Sequence, residues 1–324
     1  MHPNRRHFLQ HAGAIPLAAL LPHAALAQAF PTKPVQGFIT TAPGGSSDIT
    51  TRLVSLVLGD RLGQTFIMDN RPGAGGNIAA EATLKAPADG YSFLAISKGN
   101  LFINLLYDNL RYEFARDFTP MAGIATGPLL MLIHPSVPAT TVPEFIAYAK
   151  ANPTKVNYAT PGIGSDPHLT GEWLKQQTGL TMPHVPYRGG ALALNDLLSG
   201  NVQLMFSNLP AAQFIKEGKL RALAVTGPRR AADYPDLPTM AEFLPGFVSE
   251  GWYAFVMRKG TPTGIIEKLN SEVAVALRQP RVMTGIAALT AVAMPMSVLE
   301  LEKFFASEFD KWSKVIKAAN IKAE

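Results

Sequence analysis

A glycine turn between a strand and a helix constrains the fold of this 324-residue chain more than any other feature. The alternating run Val35–Thr41 predicts a strand, the turn Pro43–Asp48 follows, and apolar residues at helical spacing from Ile49 to Leu62 predict a helix. Unpaired N–H groups and a partial positive charge at a helix start attract anions. The alternative is that a side chain of the turn caps the helix. The side chains that could do so are Ser46, Ser47 and Asp48.

The turn has a second copy 118 residues later, at Pro161–Asp166. It follows another short strand candidate, Val156–Ala159, and opens another predicted helix, with Asp166 as its expected N-cap and Pro167 at its first position. Copies so far apart can lie in different lobes. Two helix starts that face each other across a cleft could hold a carboxylate from both sides.

The residues between the copies alternate between strand and helix patterns. Strands are predicted at Phe66–Met68 and Tyr91–Ile96, with a glycine turn and a helix through Glu81 and Leu84 between them. This alternation predicts an α/β fold with a mostly parallel sheet. Ligands bind such sheets at the carboxyl ends of strands, where Ser97 and Lys98 come next. We expect Lys98 to be either a solvated surface charge or an anion contact.

Two apolar strands are expected to connect the lobes. Leu129–Ile133 would carry the chain into a second lobe and Leu220–Thr226 would return it, which makes the second lobe an insertion. The predicted boundaries are 28–127 with 228–324 for the first lobe, and 128–227 for the second. Further predicted helices are Thr141–Lys150, Ala191–Ser199, Ala211–Glu217, Gly264–Arg278 and a last one that begins at the capping box Ser297–Glu300, with Leu301, Phe304, Phe305, Phe309, Trp312 and Val315 as its core face.

The first 27 residues are predicted to be an export signal. Asn4–Gln10 is similar to a twin-arginine motif, an apolar stretch follows, and Ala25–Ala27 fits a cleavage site. An ordinary secretory signal with two arginines is the alternative. No later stretch is apolar for long enough to cross a membrane, so we expect a periplasmic protein that is free of the membrane after cleavage.

Composition argues against several function classes. A net charge of +5 without a basic run does not predict nucleic-acid binding. The absence of cysteine excludes disulfides and thiolate chemistry. The histidines beyond the signal, His134, His168 and His184, are scattered without clustered carboxylates, so we expect no metal and no cofactor.

The motifs of common enzyme classes are missing from the sequence. Ser165, Asp166 and His168 are triad residue types, but they crowd into one turn, whereas a base usually comes from a separate element. Tyr187 and Arg188 follow a strand candidate, and an arginine there could bind a carboxylate bidentately or form a surface pair instead. His184 is expected to be structural.

Beyond the signal, nearly the whole sequence resembles the substrate-binding receptors of tripartite tricarboxylate transporters, the Bug-type periplasmic solute-binding proteins. No single motif is specific, but their order is. The motifs that carry the resemblance are Pro43–Asp48, Asn70–Asn77, Asp89–Tyr91, Asp117–Pro120, Gly162–Ser165 with His168 and Leu169, His184–Gly189, Asp196–Gly200, Leu220–Thr226 and Leu237–Thr239.

The resemblance implies a two-lobed, Venus-flytrap receptor of the type II periplasmic-binding-protein fold, with two crossing strands as its hinge. In that family two glycine loops hold a ligand carboxylate, partly through ordered waters; here they correspond to Ala42–Asp48 and Gly162–His168. The chain departs from the family pattern at Thr40–Thr41, Lys98, Asp166 and Ser207.

The sequence therefore predicts a monomeric, non-catalytic receptor that captures a small organic acid, dicarboxylate or aromatic acid and delivers it to the permease subunits of a membrane transporter. Two alternatives are a receptor that signals to a sensor kinase and a hydrolase that uses Ser165. The predicted ligand-binding residues are Ala42, Gly44, Gly45, Ser46, Ser47, Asp48, Asn77, Ser97, Lys98, Gly162, Gly164, Ser165, His168, Tyr187 and Arg188.

Overall fold

A computed structural model describes residues 30–323, so the predicted signal segment lies outside the described residues. Eleven strands form two sheets within this range. The strands are β1 (Val35–Ile39), β2 (Phe66–Asn70), β3 (Ser92–Ser97), β4 (Phe118–Pro128), β5 (Leu130–Ile133), β6 (Tyr158–Thr160), β7 (His184–Pro186), β8 (Leu204–Ser207), β9 (Arg221–Val225), β10 (Glu250–Arg258) and β11 (Val292–Ala293).

Helices connect the strands and cover both faces of each sheet. They are α1 (Ser46–Leu62), α2 (Asn77–Lys85), α3 (Ile103–Leu106), α4 (Phe114–Asp117), α5 (Val142–Ala151), α6 (Asp166–Thr178), α7 (Gly190–Leu198), α8 (Ala212–Lys216), α9 (Thr263–Ala276), α10 (Pro280–Ala287) and α11 (Val298–Ala318). Short 3₁₀ helices lie at Ala74–Gly76, Lys98–Phe102 and Met240–Glu242.

Both sheets are mixed rather than mostly parallel, which corrects the prediction from the sequence. The first sheet has the order β11-β4-β10-β3-β1-β2 and the second β7-β6-β8-β5-β9. The strands β1, β2 and β3 run parallel, whereas β10 is antiparallel to both β3 and β4. The cause is the hinge: β4 leaves the first sheet at Pro128, and β10 enters beside it at Glu250, so the two must run in opposite directions.

Three chain segments meet where the lobes join. Leu129 N–H donates to Thr226 Oγ1 at 2.8 Å, and Thr226 N–H donates back to the Leu129 carbonyl at 2.9 Å. Ser249 N–H donates to the Thr226 carbonyl at 2.8 Å. The segment 227–248, between Thr226 and Ser249, packs on the second lobe through Met240 and Phe247. This packing favours a lobe boundary near Ser249, later than the predicted one at 228.

Each lobe has apolar side chains on both faces of its sheet. In the first lobe, α1, α9 and α10 cover one face and α2 and α11 the other. In the second, α5 and α6 lie on one face and α7 on the other. On the predicted core face of α11, Leu301, Phe305 and Trp312 are buried, but Phe309 is 39% exposed. Leu56 of the apolar stripe in α1 is also exposed.

The chemistry of the helix starts explains where several helices begin. Thr141 caps α5, with Pro143 in the first turn as predicted. Ser297 and Glu300 form the predicted capping box at the start of α11. Within residues 30–323, no helix is long and apolar enough to span a membrane.

Candidate functional site

The loops that follow the strands of the two sheets face each other across a cleft. The carboxyl ends of β1 and β3 share one edge of the first sheet, and those of β6, β7 and β8 share one edge of the second. A cavity of about 550 Å³ lies between these edges, and a smaller one of about 70 Å³ lies deeper. They share Thr41, Ala42, Ser97, Pro161, Ser165 and Gly189 as lining residues.

Neither helix that starts at the cleft has a side-chain cap. Gly45 is the N-cap residue of α1, and neither Ser46, Ser47 nor Asp48 caps the helix, so the capping alternative is wrong. Ser165, not Asp166, is the N-cap residue of α6, and its side chain makes no capping bond either. The N–H groups in the first turn of both helices therefore remain available to an anion, except at Pro167, which has none.

A polar network holds the first glycine loop from behind. Asp48 accepts from Gly44 N–H at 3.0 Å, Arg52 Nε at 2.8 Å and Asn70 Nδ2 at 2.9 Å. Asn70 also donates to the Thr41 carbonyl at 2.9 Å. The predicted ligand residue Asp48 is thus placed behind the loop, where it fixes the loop's conformation.

Two stacked histidines hold the second glycine loop in the same way. His168 Nδ1 accepts from Gly164 N–H at 2.9 Å. Nε2 of His184 lies 2.6 Å from Thr160 Oγ1, which in turn bonds to the backbone of Gly162. The two rings stack at 4.0 Å. His184 is structural, as predicted.

The small cavity contains buried polar atoms from both lobes. Ser46 of the first lobe donates its hydroxyl to Asn208 Oδ1 of the second at 2.9 Å, and Asn208 Nδ2 donates to the Tyr253 hydroxyl at 2.9 Å. Three other lining residues each have a buried side-chain oxygen with no hydrogen-bond partner in the described part of the chain. These atoms are Thr41 Oγ1, Ser47 Oγ and Asp166 Oδ1.

The larger cavity is lined mainly by glycine loops and small side chains. Arg188 is the one charged residue among the described residues that line it. Tyr107 and Tyr187 add aromatic surface, and the Tyr187 hydroxyl donates to Asp196 at 2.5 Å, while burial raises the pKa of Tyr187 to about 12. The cavity can therefore hold a ligand that places an anionic group at Arg188.

Comparison with known proteins decides the family. The model of the tripartite tricarboxylate transporter family receptor matches residues 50–321. The chain belongs to this receptor family. BugT of Bordetella pertussis is 35% identical over 300 residues, which cover 91% of this chain and 92% of BugT.

Solved structures of similar receptors have the same two-lobed fold. R. palustris Rpa4515 with adipate has a TM-score of 0.86 at 36% identity, covering 91% of this chain and 100% of that one. MatC from Rhodopseudomonas palustris with bound malate has a TM-score of 0.83 at 30% identity, and the match covers 89% of this chain and 100% of MatC. These comparisons confirm the family and the two-lobed α/β fold predicted from the sequence.

In this receptor the structure brings most of the predicted ligand-binding residues to the cleft. Those that line the larger cavity are Ala42, Ser97, Gly162, Gly164, Ser165, Tyr187 and Arg188. Those that line the small cavity are Ala42, Gly45, Ser46, Ser47, Ser97 and Ser165. The predicted residues that line neither are Gly44, Asp48, Asn77, Lys98 and His168.

Lys98 is neither a surface charge nor a lining residue. Its side chain is fully buried, and its Nζ donates to the Glu250 carbonyl at 2.8 Å and to Ser249 Oγ at 3.3 Å. The ammonium also lies 4.2 Å from the centre of the Trp312 ring and 3.9 Å from Asp166 Oδ1. It forms an ion pair between the lobes, because Asp166 belongs to the second lobe. Asn77 also lies away from the cavities and accepts from the Tyr112 hydroxyl at 2.6 Å.

Sequence reasoning missed several polar residues of the cleft. Asn100 Nδ2 donates to the Gly75 carbonyl at 2.7 Å, which fixes the third glycine turn against the larger cavity. Asn208 follows β8 at the same edge as the second glycine loop, so the strand-end rule could have found it. Tyr253 lies within the antiparallel strand β10, and no local pattern marks it.

Acid is expected to destabilise the second glycine loop. Burial, followed by the charge of Lys175, lowers the pKa of His168 to about 4, and burial lowers that of His184 to about 3. The ordinary pKa of a histidine is about 6.5, so below this pH the two imidazoles bind protons in the unfolded chain while they are still neutral in the folded protein. The free energy of unfolding therefore falls as the pH drops from about 6.5 toward 4. For His168 alone the loss is about 3 kcal/mol, and protonation also removes the acceptor for Gly164 N–H.

Urea unfolding between pH 7.5 and 4.5 measures this loss. The variant His168→Gln should show a flatter pH dependence than the wild type, and the control His134→Gln, outside the loop, should keep the wild-type slope. If the slope in His168→Gln equals that of the wild type, His168 is not the titrating group.

Proposed function

We propose that this receptor binds a small dicarboxylate between its lobes and delivers it to the membrane permease of a tripartite transporter. The observation that carries the proposal is the pair of uncapped helix starts, α1 and α6, which line the small cavity from opposite lobes. Each offers N–H groups and a partial positive charge to one carboxylate.

Arg188 supports a second carboxylate on the ligand. Arg188 lines the larger cavity but not the small one, and its guanidinium can bind a carboxylate bidentately. An acid with carboxylates at both ends would thus meet a positive group at each end. The solved relatives carry adipate and malate, two acids of this class.

The same geometry argues against hydrolysis at Ser165. The Ser165 hydroxyl donates to the Gly162 carbonyl at 2.7 Å, and His168 Nδ1 is taken by Gly164 N–H. A nucleophile and a general base need a hydrogen bond to each other, and these two side chains point to separate backbone groups. We therefore propose a receptor without catalysis.

Export to the periplasm completes the proposal. The arginine-containing segment Asn4–Gln10 and the site after Ala27 would direct secretion and cleavage. Binding and release then require opening of the cleft, which we propose to be a hinge rotation at Leu129, Thr226 and Ser249.

Binding of dicarboxylates is the first test. Thermal denaturation of the protein that lacks residues 1–27, against mono- and dicarboxylates of several lengths, should show a shift of several degrees with one class. Ligand at about 100 times its Kd adds about 2.7 kcal/mol to the free energy of unfolding. No shift with any acid would contradict the proposal.

Arg188→Gln is expected to weaken dicarboxylate binding about 10-fold, because it removes a charge-assisted hydrogen bond, while monocarboxylate binding changes little. Isothermal titration calorimetry measures both. Arg278→Gln, which changes an exposed arginine outside the cleft, serves as the control. Equal losses for both acid types in Arg188→Gln would place the second carboxylate elsewhere.

A further inference from the structure

One carboxylate in the small cavity has an oxygen that no described residue satisfies. The hydroxyls of Thr41 and Ser47 can rotate and either donate or accept, but an ionised carboxylate can only accept. Asp166 is 4% exposed, and its Oδ1 has no hydrogen-bond partner within residues 30–323. Its other oxygen lies against the backbone of Gly251, where an added Cβ would be 3.0 Å away.

Lys98 supplies Asp166 with a counter-charge but not with a hydrogen bond. The distance of 3.9 Å from Nζ to Oδ1 is too long for one. The ammonium instead donates to Glu250 and Ser249 and lies over the Trp312 ring. Lys98 therefore favours the charged form of the buried carboxylate, while Oδ1 keeps no hydrogen-bond donor among the described residues.

The carboxylate is ionised at neutral pH. Burial raises the pKa of Asp166 to about 6, and the charge of Lys98 opposes this rise. Glu308 adds a further negative charge nearby, and Tyr253, whose own pKa is raised, faces Asp166 as a neutral phenol. The backbone N–H of Trp252 also hydrogen-bonds the carboxylate, but Oδ1 has no donor within residues 30–323. A buried carboxylate oxygen without a donor is costly, so a ligand that brings a donor to Oδ1 gains binding energy.

We propose that Asp166 selects acids that carry a hydrogen-bond donor, an ammonium or a hydroxyl group, next to the carboxylate held by the helix starts. This rests on the proposed function of the cleft. A cavity of about 70 Å³ takes only the end of a ligand, so the donor must lie on the carbon beside that carboxylate. The rest of the ligand extends through the shared lining residues into the larger cavity.

Three dicarboxylates of equal length test the inference: succinate without a donor, malate with a hydroxyl group and aspartate with an ammonium group. Calorimetry at pH 7.5 should show the wild type binding malate or aspartate about 10- to 100-fold more tightly than succinate, the range expected for a hydrogen bond to a charged group. In Asp166→Ala this preference should vanish.

Asp166→Asn separates the two kinds of donor. The amide keeps an acceptor oxygen without the charge, so a preference for aspartate should fall more than a preference for malate. Because Asp166→Ala leaves Lys98 unpaired, the double variant Lys98→Met with Asp166→Ala is measured beside it. Asp233→Ala, which changes an exposed carboxylate outside the cleft, should bind as the wild type does.

The outcomes distinguish this inference from the proposed function. If the wild type binds succinate as tightly as malate and aspartate, the cleft is a carboxylate site but Asp166 does not select. A preference that survives in both Asp166→Ala proteins also overturns the inference. If no dicarboxylate of any length binds, the proposed function itself fails.

Discussion

Replacing Gly99 by alanine is expected to prevent the lobes from closing and to lower ligand affinity about 100-fold. Gly99 of the first lobe lies directly against Gly164 of the second, and a methyl group on Gly99 would overlap the Gly164 carbonyl oxygen. Both are backbone positions, so only separation of the lobes can relieve the overlap. A penalty of about 3 kcal/mol on the closed state corresponds to the stated loss of affinity.

Calorimetry and small-angle X-ray scattering measure the effect together. With the tightest-binding dicarboxylate, the wild type should become more compact, whereas Gly99→Ala should keep the larger radius of gyration of the open form. Gly264→Ala is the matched control, because an added methyl group there has no neighbour within 4 Å. Unchanged affinity in Gly99→Ala would mean that the bound state does not bring Gly99 and Gly164 together.

The glycine loops were predictable because their signals are local. Pro43–Asp48 and Pro161–Asp166 each follow a strand and precede a helix, and the carboxyl ends of neighbouring parallel strands must share an edge. The capping box at Ser297 and the proline in the first turn of α5 were predictable for the same reason. In each case the deciding contacts lie within a few residues in sequence.

The antiparallel direction of β10 beside β4, at the hinge, could not be predicted from such local signals. The sequence at the start of β4 contains only the motif Asp117–Pro120, and nothing in it shows that β10 will return beside it. The antiparallel pairing follows from the route of the chain through the second lobe. A mixed sheet is therefore a property of the whole chain, and the alternation of strands and helices predicted only its parallel part.

The role of Lys98 was missed for a similar reason. In the sequence it is a single charge after a strand, and its partner Asp166 lies 68 residues away at the start of another helix. Only the closed fold shows that both are buried and that Trp312, near the end of the chain, covers the lysine. The sequence did mark both positions as departures from the family pattern.

Lys98→Met is the second change with a large expected effect. It leaves the Asp166 carboxylate buried in the closed state without its counter-charge, and breaking a buried ion pair from one side costs about 3–5 kcal/mol. In the open state water can solvate Asp166, so the penalty falls on closure. We expect ligand affinity to fall about 100-fold or more, with a smaller change in the free energy of unfolding.

Lower pH should partly restore binding in Lys98→Met. Burial already raises the pKa of Asp166 to about 6, and loss of the lysine charge raises it further. In an open, solvated lobe the same carboxyl has its ordinary value of about 3.9. At pH values between the pKa of the closed state and that of the open state, Asp166 is protonated only in the closed state. Closure therefore becomes more favourable as the pH falls.

A double-mutant cycle tests the pair. Asp166→Asn in the Lys98→Met background removes the uncompensated charge, so the double variant should regain part of the lost ligand affinity at pH 7.5. Its affinity should no longer rise as the pH falls, because the carboxyl that takes up the proton is gone. Lys311→Met is the matched control: its ammonium also contacts the Trp312 ring, at 5.3 Å, but the residue is exposed. We expect that change to cost about 1 kcal/mol or less. If Lys98→Met and Lys311→Met behave alike, the ion pair between the lobes contributes nothing to closure.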